Sequence, residues 1–82
     1  MNREWKAADI VKHFKGNEYI IIGVGTEATN DSEMKQKVIY KRLDGTGPIW
    51  IRDLDEFNSE VDHEKYPDVA QKYRFEIIEA HK

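Results

Sequence analysis

Two tight-turn signals, Lys15-Gly16-Asn17-Glu18 and Asp44-Gly45-Thr46-Gly47-Pro48, each lie between runs rich in β-branched and aromatic residues. Glycine and asparagine favour the reversed backbone of a tight turn, so this pattern predicts two β-hairpins. The first joins IVKHFK (10–15) to YIIIGVG (19–25), and the second joins QKVIYKRL (36–43) to IWIRDL (49–54). A five-residue second connection is of ordinary hairpin length. If Leu43 faces Ile49, antiparallel counting sets Arg42 across from Trp50 and Tyr40 across from Arg52. Those pairs share one face, and each contributes about 0.2–1 kcal/mol. Within YIIIGVG, Ile20, Ile22 and Val24 alternate with Tyr19, Ile21 and Gly23. Both faces are apolar, which predicts a strand covered on both sides.

Other segments are shorter. EATNDSEM (27–34) is polar and reads as a loop. Asp53 to Phe57 predicts a helical turn with Leu54 and Phe57 on one side. Residues 68–73 follow Pro67 and predict one or two helical turns capped by Asp68. RFEII (74–78) predicts a last strand, and EWKAAD near the N-terminus predicts a turn or an extension anchored by Trp5. About five short strands with close turns point to a mainly β fold, a small and strongly bent sheet or barrel with one or two short helical turns. The 82 residues give room for one domain, 1–82, which buries only roughly 60–65% of its unfolded surface around a thin core.

Gly23-x-Gly25-x-x-Ala28 also satisfies the relaxed spacing of a dinucleotide-binding loop. That fold needs an amphipathic helix directly after the glycines, packed on a parallel sheet. Residues 29–37 offer only Met34 as a large apolar side chain, and too little chain follows for alternating strands and helices. The glycines are better read as a bend or bulge in a strand. No cofactor follows from them.

Charged residues make up 35% and hydrophobic ones 39% of the chain, with Trp, Tyr and Phe at 11%. Disordered chains of comparable charge lack that aromatic and β-branched content. The absence of cysteine excludes disulfides and thiolate metal sites. No apolar run approaches a membrane span, and MNREWKAAD lacks the apolar core of a secretory signal, so a cytoplasmic location is expected. The net charge of −3 disfavours a generic nucleic-acid binder. Charge is segregated, however. Lys35, Lys37, Lys41 and Arg42 make the middle basic, and residues 53–64 are acidic.

HFKGNEY (13–19), VIYKRL (38–43), IWIRDLDEF (49–57) and YRFE (73–76), in this order, resemble an uncharacterised bacterial family, domain-of-unknown-function family 1653. The resemblance covers a core of about 12–76. It implies an SH3-like β-roll or barrel and no established activity. Carried over position by position, it marks His13, Phe14, Lys15, Gly16, Asn17, Tyr19, Tyr40, Trp50, Arg52, Leu54, Phe57, Arg74 and Phe75. The chain departs from the family pattern at Asp53, where proline is usual. It departs again at Asp31-Ser32-Glu33-Met34, where the family commonly carries His-Ser-Glu-Thr.

His13, Tyr40, Trp50 and Arg52 are the candidate ligand-binding residues. Rings and one fixed guanidinium lining a groove suit a planar or anionic ligand, since guanidinium binds oxyanions bidentately. The competing reading makes Tyr40 and Trp50 packing residues and pairs Arg52 with Asp53, Asp55 or Glu56. The acidic groups Asp53/Asp55/Glu56 and Asp62/His63/Glu64 match no calcium loop, and His13, His63 and His81 lack paired metal-ligand spacing, so no metal is expected. Ser59 and His63 lie four residues apart, but a triad is defined by geometry. An enzymatic role is therefore the less favoured one. The expected function is a binding or adaptor module for a small ligand, peptide or protein partner. The alternatives are single-stranded nucleic acid on the same face, with Lys35, Lys37 and Lys41 on phosphates, and a small hydrolytic or metal-dependent enzyme.

Overall fold

The computed structural model describes residues 4–29 and 34–80. The chain order is β1 (Ile10–His13), β2 (Glu18–Thr26), β3 (Gln36–Arg42), β4 (Trp50–Asp53), α1 (Leu54–Phe57) and β5 (Phe75–Glu79). These strands make one antiparallel sheet in the order β4-β3-β2-β1-β5. Among the described residues the protein is thus mainly β, with five strands and one short helix, and its sheet is open rather than closed into a barrel. Part of the expected 27–34 loop, residues 30–33, lies outside the described residues, as does His81. Among the described residues no helix is long and apolar enough to cross a membrane.

The sheet is nevertheless curled. β4 and β5 are its opposite edges, yet the Arg52 guanidinium of β4 lies 5.7 Å from the Phe75 ring centre of β5. Phe57, from the helix that follows β4, stacks flat on Phe75 at 4.0 Å. Around this pair, Trp5 and Tyr40 meet Phe57 edge-on at 4.9 and 5.3 Å. Val11, Ile21 and Val38 complete the buried core. Offset and edge-to-face ring contacts add about 0.5–1.5 kcal/mol each beyond area burial, so a thin core gains from being mostly aromatic. Trp5 Nε1–H donates to Asn58 Oδ1 at 2.7 Å, which leaves no polar orphan where the N-terminal segment plugs the roll.

Both expected hairpins form. Val11 pairs with Tyr19 and Lys12 with Glu18, closed by His13 N–H to Asn17 O. The second hairpin has a different register from simple counting. Tyr40 pairs with Trp50 and Val38 with Arg52. The loop is wider than five residues because the Leu43 N–H donates to Glu18 O and keeps Leu43 with β2. Asp44 then accepts from the Thr46 amide and hydroxyl, and Gly45 and Gly47 both sit at φ +80, open to glycine at little cost. The shift is by two residues, so Tyr40, Trp50 and Arg52 still share a face.

Gly23 and Gly25 lie inside β2 beside a bulge between Ile21 and Gly23, and among the described residues no helix lies between β2 and β3. The expectation that β2 is covered on both sides is corrected. The helix and loops pack on the inner face, while Ile22 is 42% and Ile51 66% exposed on the other side. The helical turns expected over 68–73 do not form either. Pro67 and Asp68 instead occupy a turn closed by Val69 N–H to Tyr66 O, and the chain returns through a bridge between Glu60 and Tyr73. Proline pre-sets the backbone for the second position of such a turn, and here that preference wins. The helical turn near this point lies earlier. Asp62 Oδ1 accepts from the Glu64 and Lys65 amides, and Tyr66 N–H reaches Asp62 O.

Candidate functional site

The best-equipped cavity lies where the ends of β1 and β4 meet the 62–74 segment. It encloses about 320 Å³ and is lined by His13, Phe14, Lys15, Arg52, Asp62, Lys65, Tyr66 and Arg74. Four separate stretches of chain supply these groups. β1 and its turn bring His13, Phe14 and Lys15, β4 brings Arg52, the Asp62-capped turn brings Lys65 and Tyr66, and the approach to β5 brings Arg74.

The two arginines are positioned by the fold. Arg52 Nε–H donates to the Tyr40 hydroxyl at 3.1 Å, and its Nη1 donates to Glu56 Oε1 at 2.9 Å. Tyr40 is 3% exposed, so its hydroxyl needs a partner, and the guanidinium supplies one. The backbone at Arg74 is fixed on several sides. Its carbonyl accepts from the Phe14 amide at 2.9 Å, and its N–H donates to Ser59 O. The Gln71 side-chain amide donates to the carbonyls of Lys12 and Tyr73, both at 2.9 Å, and reaches the Arg74 carbonyl. Arg74 Nη1 stands 3.8 Å from Glu56. Its Nε is buried with no hydrogen-bond partner.

His13 sits between rings, 4.5 Å from Phe14 and 4.9 Å from Phe75. Burial first, then the charges of Arg52, Lys15 and Arg74, push its pKa down to about 4. The ring is therefore neutral near neutral pH. Its Nδ1 accepts from the Lys15 amide at 3.1 Å, so the proton sits on Nε2. Phe14 and Tyr66 form the apolar wall, 5.1 Å apart, with the Lys15 ammonium 5.8 and 5.7 Å from their centres. Such a pocket can hold an anion against fixed donors. Its lining includes no serine, threonine or cysteine.

Of the four candidate residues, the structure brings His13 and Arg52 into this cavity. Tyr40 supports it from within the core as the acceptor for Arg52. Trp50 pairs with Tyr40 at the sheet edge, 44% exposed, and is not among the lining residues. Arg52 pairs with Glu56, one of the carboxylates named as alternatives. Lys37 and Lys41 pair with Gly25 and Ile20, one residue out of phase with Tyr40, and so lie on the sheet's other face. A shared lysine and aromatic platform is not what the strand presents. Ser59 Oγ donates to Glu56 O, and His63 Nε2 contacts Gln71 O, so the two do not form a couple. Among the described residues no three His, Asp or Glu side chains converge as a metal set.

Sequence reasoning missed Lys65 and Tyr66 as site residues. The available signal was Asp62 three residues before Lys65, an N-cap spacing ended by Pro67. Phe14, Lys15 and Arg74 were marked by the family resemblance, but nothing in their spacing joined them to His13 and Arg52.

No curated protein and no solved structure matches the chain. The family model described as Protein of unknown function (DUF1653) matches residues 9–77, most of the chain and every residue that lines this cavity. The chain belongs to that family.

Proposed function

We propose that this protein is a small cytoplasmic binding module that takes the anionic part of a small ligand or peptide in the His13/Arg52 cavity. The observation that carries this is the convergence of Lys15, Arg52, Lys65 and Arg74 on one concave site beside a neutral histidine. Concave sites with an apolar wall and a few fixed polar groups are the usual places for small ligands. The fold supports recognition more than turnover. Arg52 is held by hydrogen bonds to Tyr40 and Glu56, which fix it as a static donor. The overall charge of −3 does not oppose the proposal, because Asp62 is the one carboxylate among the four cations that line the cavity.

The test is an amide NMR titration of the isotope-labelled chain with pools of nucleotides, short oligonucleotides, sugars, divalent metals and proline-rich peptides. Shifts concentrated at His13, Phe14, Arg52 and Arg74 are expected from at least one pool. If every pool leaves those amides unmoved, the cavity is packing and the binding-module reading falls.

A further inference from the structure

Resting on that reading, we infer that the cavity is built for a doubly charged phosphate monoester rather than for a carboxylate or a phosphodiester. The first ground is charge balance. Lys15, Arg52, Lys65 and Arg74 line the site, while Asp62 is its one lining carboxylate. Glu56 neutralises Arg52 at 2.9 Å and reaches toward Arg74. Four cations against two carboxylates leave two positive charges uncompensated. A carboxylate or a phosphodiester supplies one negative charge. A phosphate monoester supplies about 1.5 to 2 near neutral pH.

The second ground is the donor set. Buried polar groups are rarely left unpaired, and each exception calls for a partner. Arg74 Nε is such an exception, a buried N–H donor without an acceptor, on a side chain that lines the cavity. That Nε is closed to solvent as it stands, so binding requires a rotation of the Arg74 side chain that presents Nε–H beside an Nη–H, a pair that matches two oxygens of a phosphate. Arg52 has spent Nε on Tyr40 and one Nη1 donor on Glu56, so Nη2 is left for a third oxygen. His13 contributes a neutral N–H at Nε2, and the Lys15 and Lys65 ammoniums add point charges. Fixed donors of this number suit three terminal oxygens better than two.

The experiment is a titration of the full labelled chain with phenyl phosphate, benzoate and inorganic phosphate at about pH 7.5 and again at about pH 5. Phosphate monoesters lose one charge near pH 6, benzoate keeps its charge throughout, and His13 stays neutral at both values. Phenyl phosphate is expected to bind at least about tenfold more tightly than benzoate, and to weaken several-fold on acidification while benzoate does not. Equal affinities, or a phosphate affinity indifferent to pH, would overturn the inference while leaving a working anion site and hence the binding-module reading. A 5′-hydroxyl oligonucleotide binding as tightly as phenyl phosphate would also overturn it, in favour of a phosphodiester site. A nucleoside monophosphate and a hexose phosphate, compared side by side, then report what body carries the phosphate. Arg74→Lys keeps the charge but removes the fork. It should weaken phenyl phosphate about tenfold with the remaining amide spectrum native, and unchanged affinity in that variant would sink the proposal. Lys65→Ala, on an exposed turn, gives the same reading without touching the core.

Discussion

Phe57 and Phe75 at the centre of the roll, and Phe14 and Tyr66 beside the cavity, are two ring pairs with opposite surroundings. The first pair is almost fully buried and meets mainly other rings, Trp5 and Tyr40 among them, with the Arg52 guanidinium also 5.7 Å from Phe75. The second is only half buried and meets cations, with Lys15 over both rings and Lys65 over Tyr66. Rings that meet rings convert their area into stability. Rings that meet cations form a wall of low polarity, which strengthens the field of charges beside it. One small sheet therefore divides its aromatic residues between holding the fold and shaping a site.

The sharpest way to break that division is to remove one ring from each pair. Phe57→Ala opens a void among three rings and should cost about 3–5 kcal/mol in urea denaturation, a large share of the total for so small a domain. Phe14→Ala should cost about 1 kcal/mol, the ordinary effect at a half-buried position, while weakening anion binding. Comparable losses from the two variants would show that the cavity wall is part of the core after all.

Much of the first pair could be read in the sequence and little of the second. The two hairpins, the helical turn at 54–57 and the strand near RFEII follow from local turn chemistry and periodicity, which act over a few residues. The register of Tyr40 against Trp50 depends on a contact outside its hairpin, Leu43 with Glu18, and local counting cannot include it. The bare outer face around Ile22 and Ile51 was also hidden, because alternation shows that a face is apolar and not what lies above it. At the cavity, His13 and Arg52 were named for their chemistry. Arg74 and Lys65 reach them through Gln71 and the Asp62 turn, in a segment whose local signals, Asp62 as a cap and Pro67 as a stop, pointed to a turn and not to a site.

Acidification should sharpen the comparison next, because His13 stands between the two regions. It touches Phe75 on one side and Phe14 on the other, and faces Lys15, Arg52, Lys65, Arg74 and the Asp62 carboxylate. Its pKa is lowered from 6.5 to about 4. Above 6.5 neither the folded nor the unfolded chain protonates it. Between 6.5 and 4 the unfolded chain takes up a proton that the folded chain refuses, so stability falls through that window and the loss is complete below it. Asp44 and Asp53, whose pKa values are lowered from 3.8 by their hydrogen bonds to Thr46 and Lys37, act only below 3.8 and do not overlap it. Denaturation midpoints followed from pH 7 to 4 should drop more for the parent than for His13→Gln. Parallel curves would mean that neither burial nor the cations hold the ring neutral.

The smallest expected effect belongs to Lys37, and its smallness is informative. Lys37 bears the same charge as each cavity cation but carries its own compensation, hydrogen-bonded to Asp53 across β3 and β4 and 3.6 Å from Glu27. Those carboxylates raise its pKa, and it in turn lowers that of Asp53, so the pair exists as ions throughout the neutral range. On an open surface such a pair gains little over hydration and is screened by salt. Lys37→Ala should leave the denaturation midpoint within experimental error in moderate salt, and phenyl phosphate binding unchanged. Arg74→Lys removes the fork of a cation whose counter-charge is incomplete, and it should shift binding while moving stability little. If Lys37→Ala weakened phosphate binding as much as Arg74→Lys, the anion would be held by the general field of the basic residues, and the division between compensated and uncompensated cations would not be what makes the site.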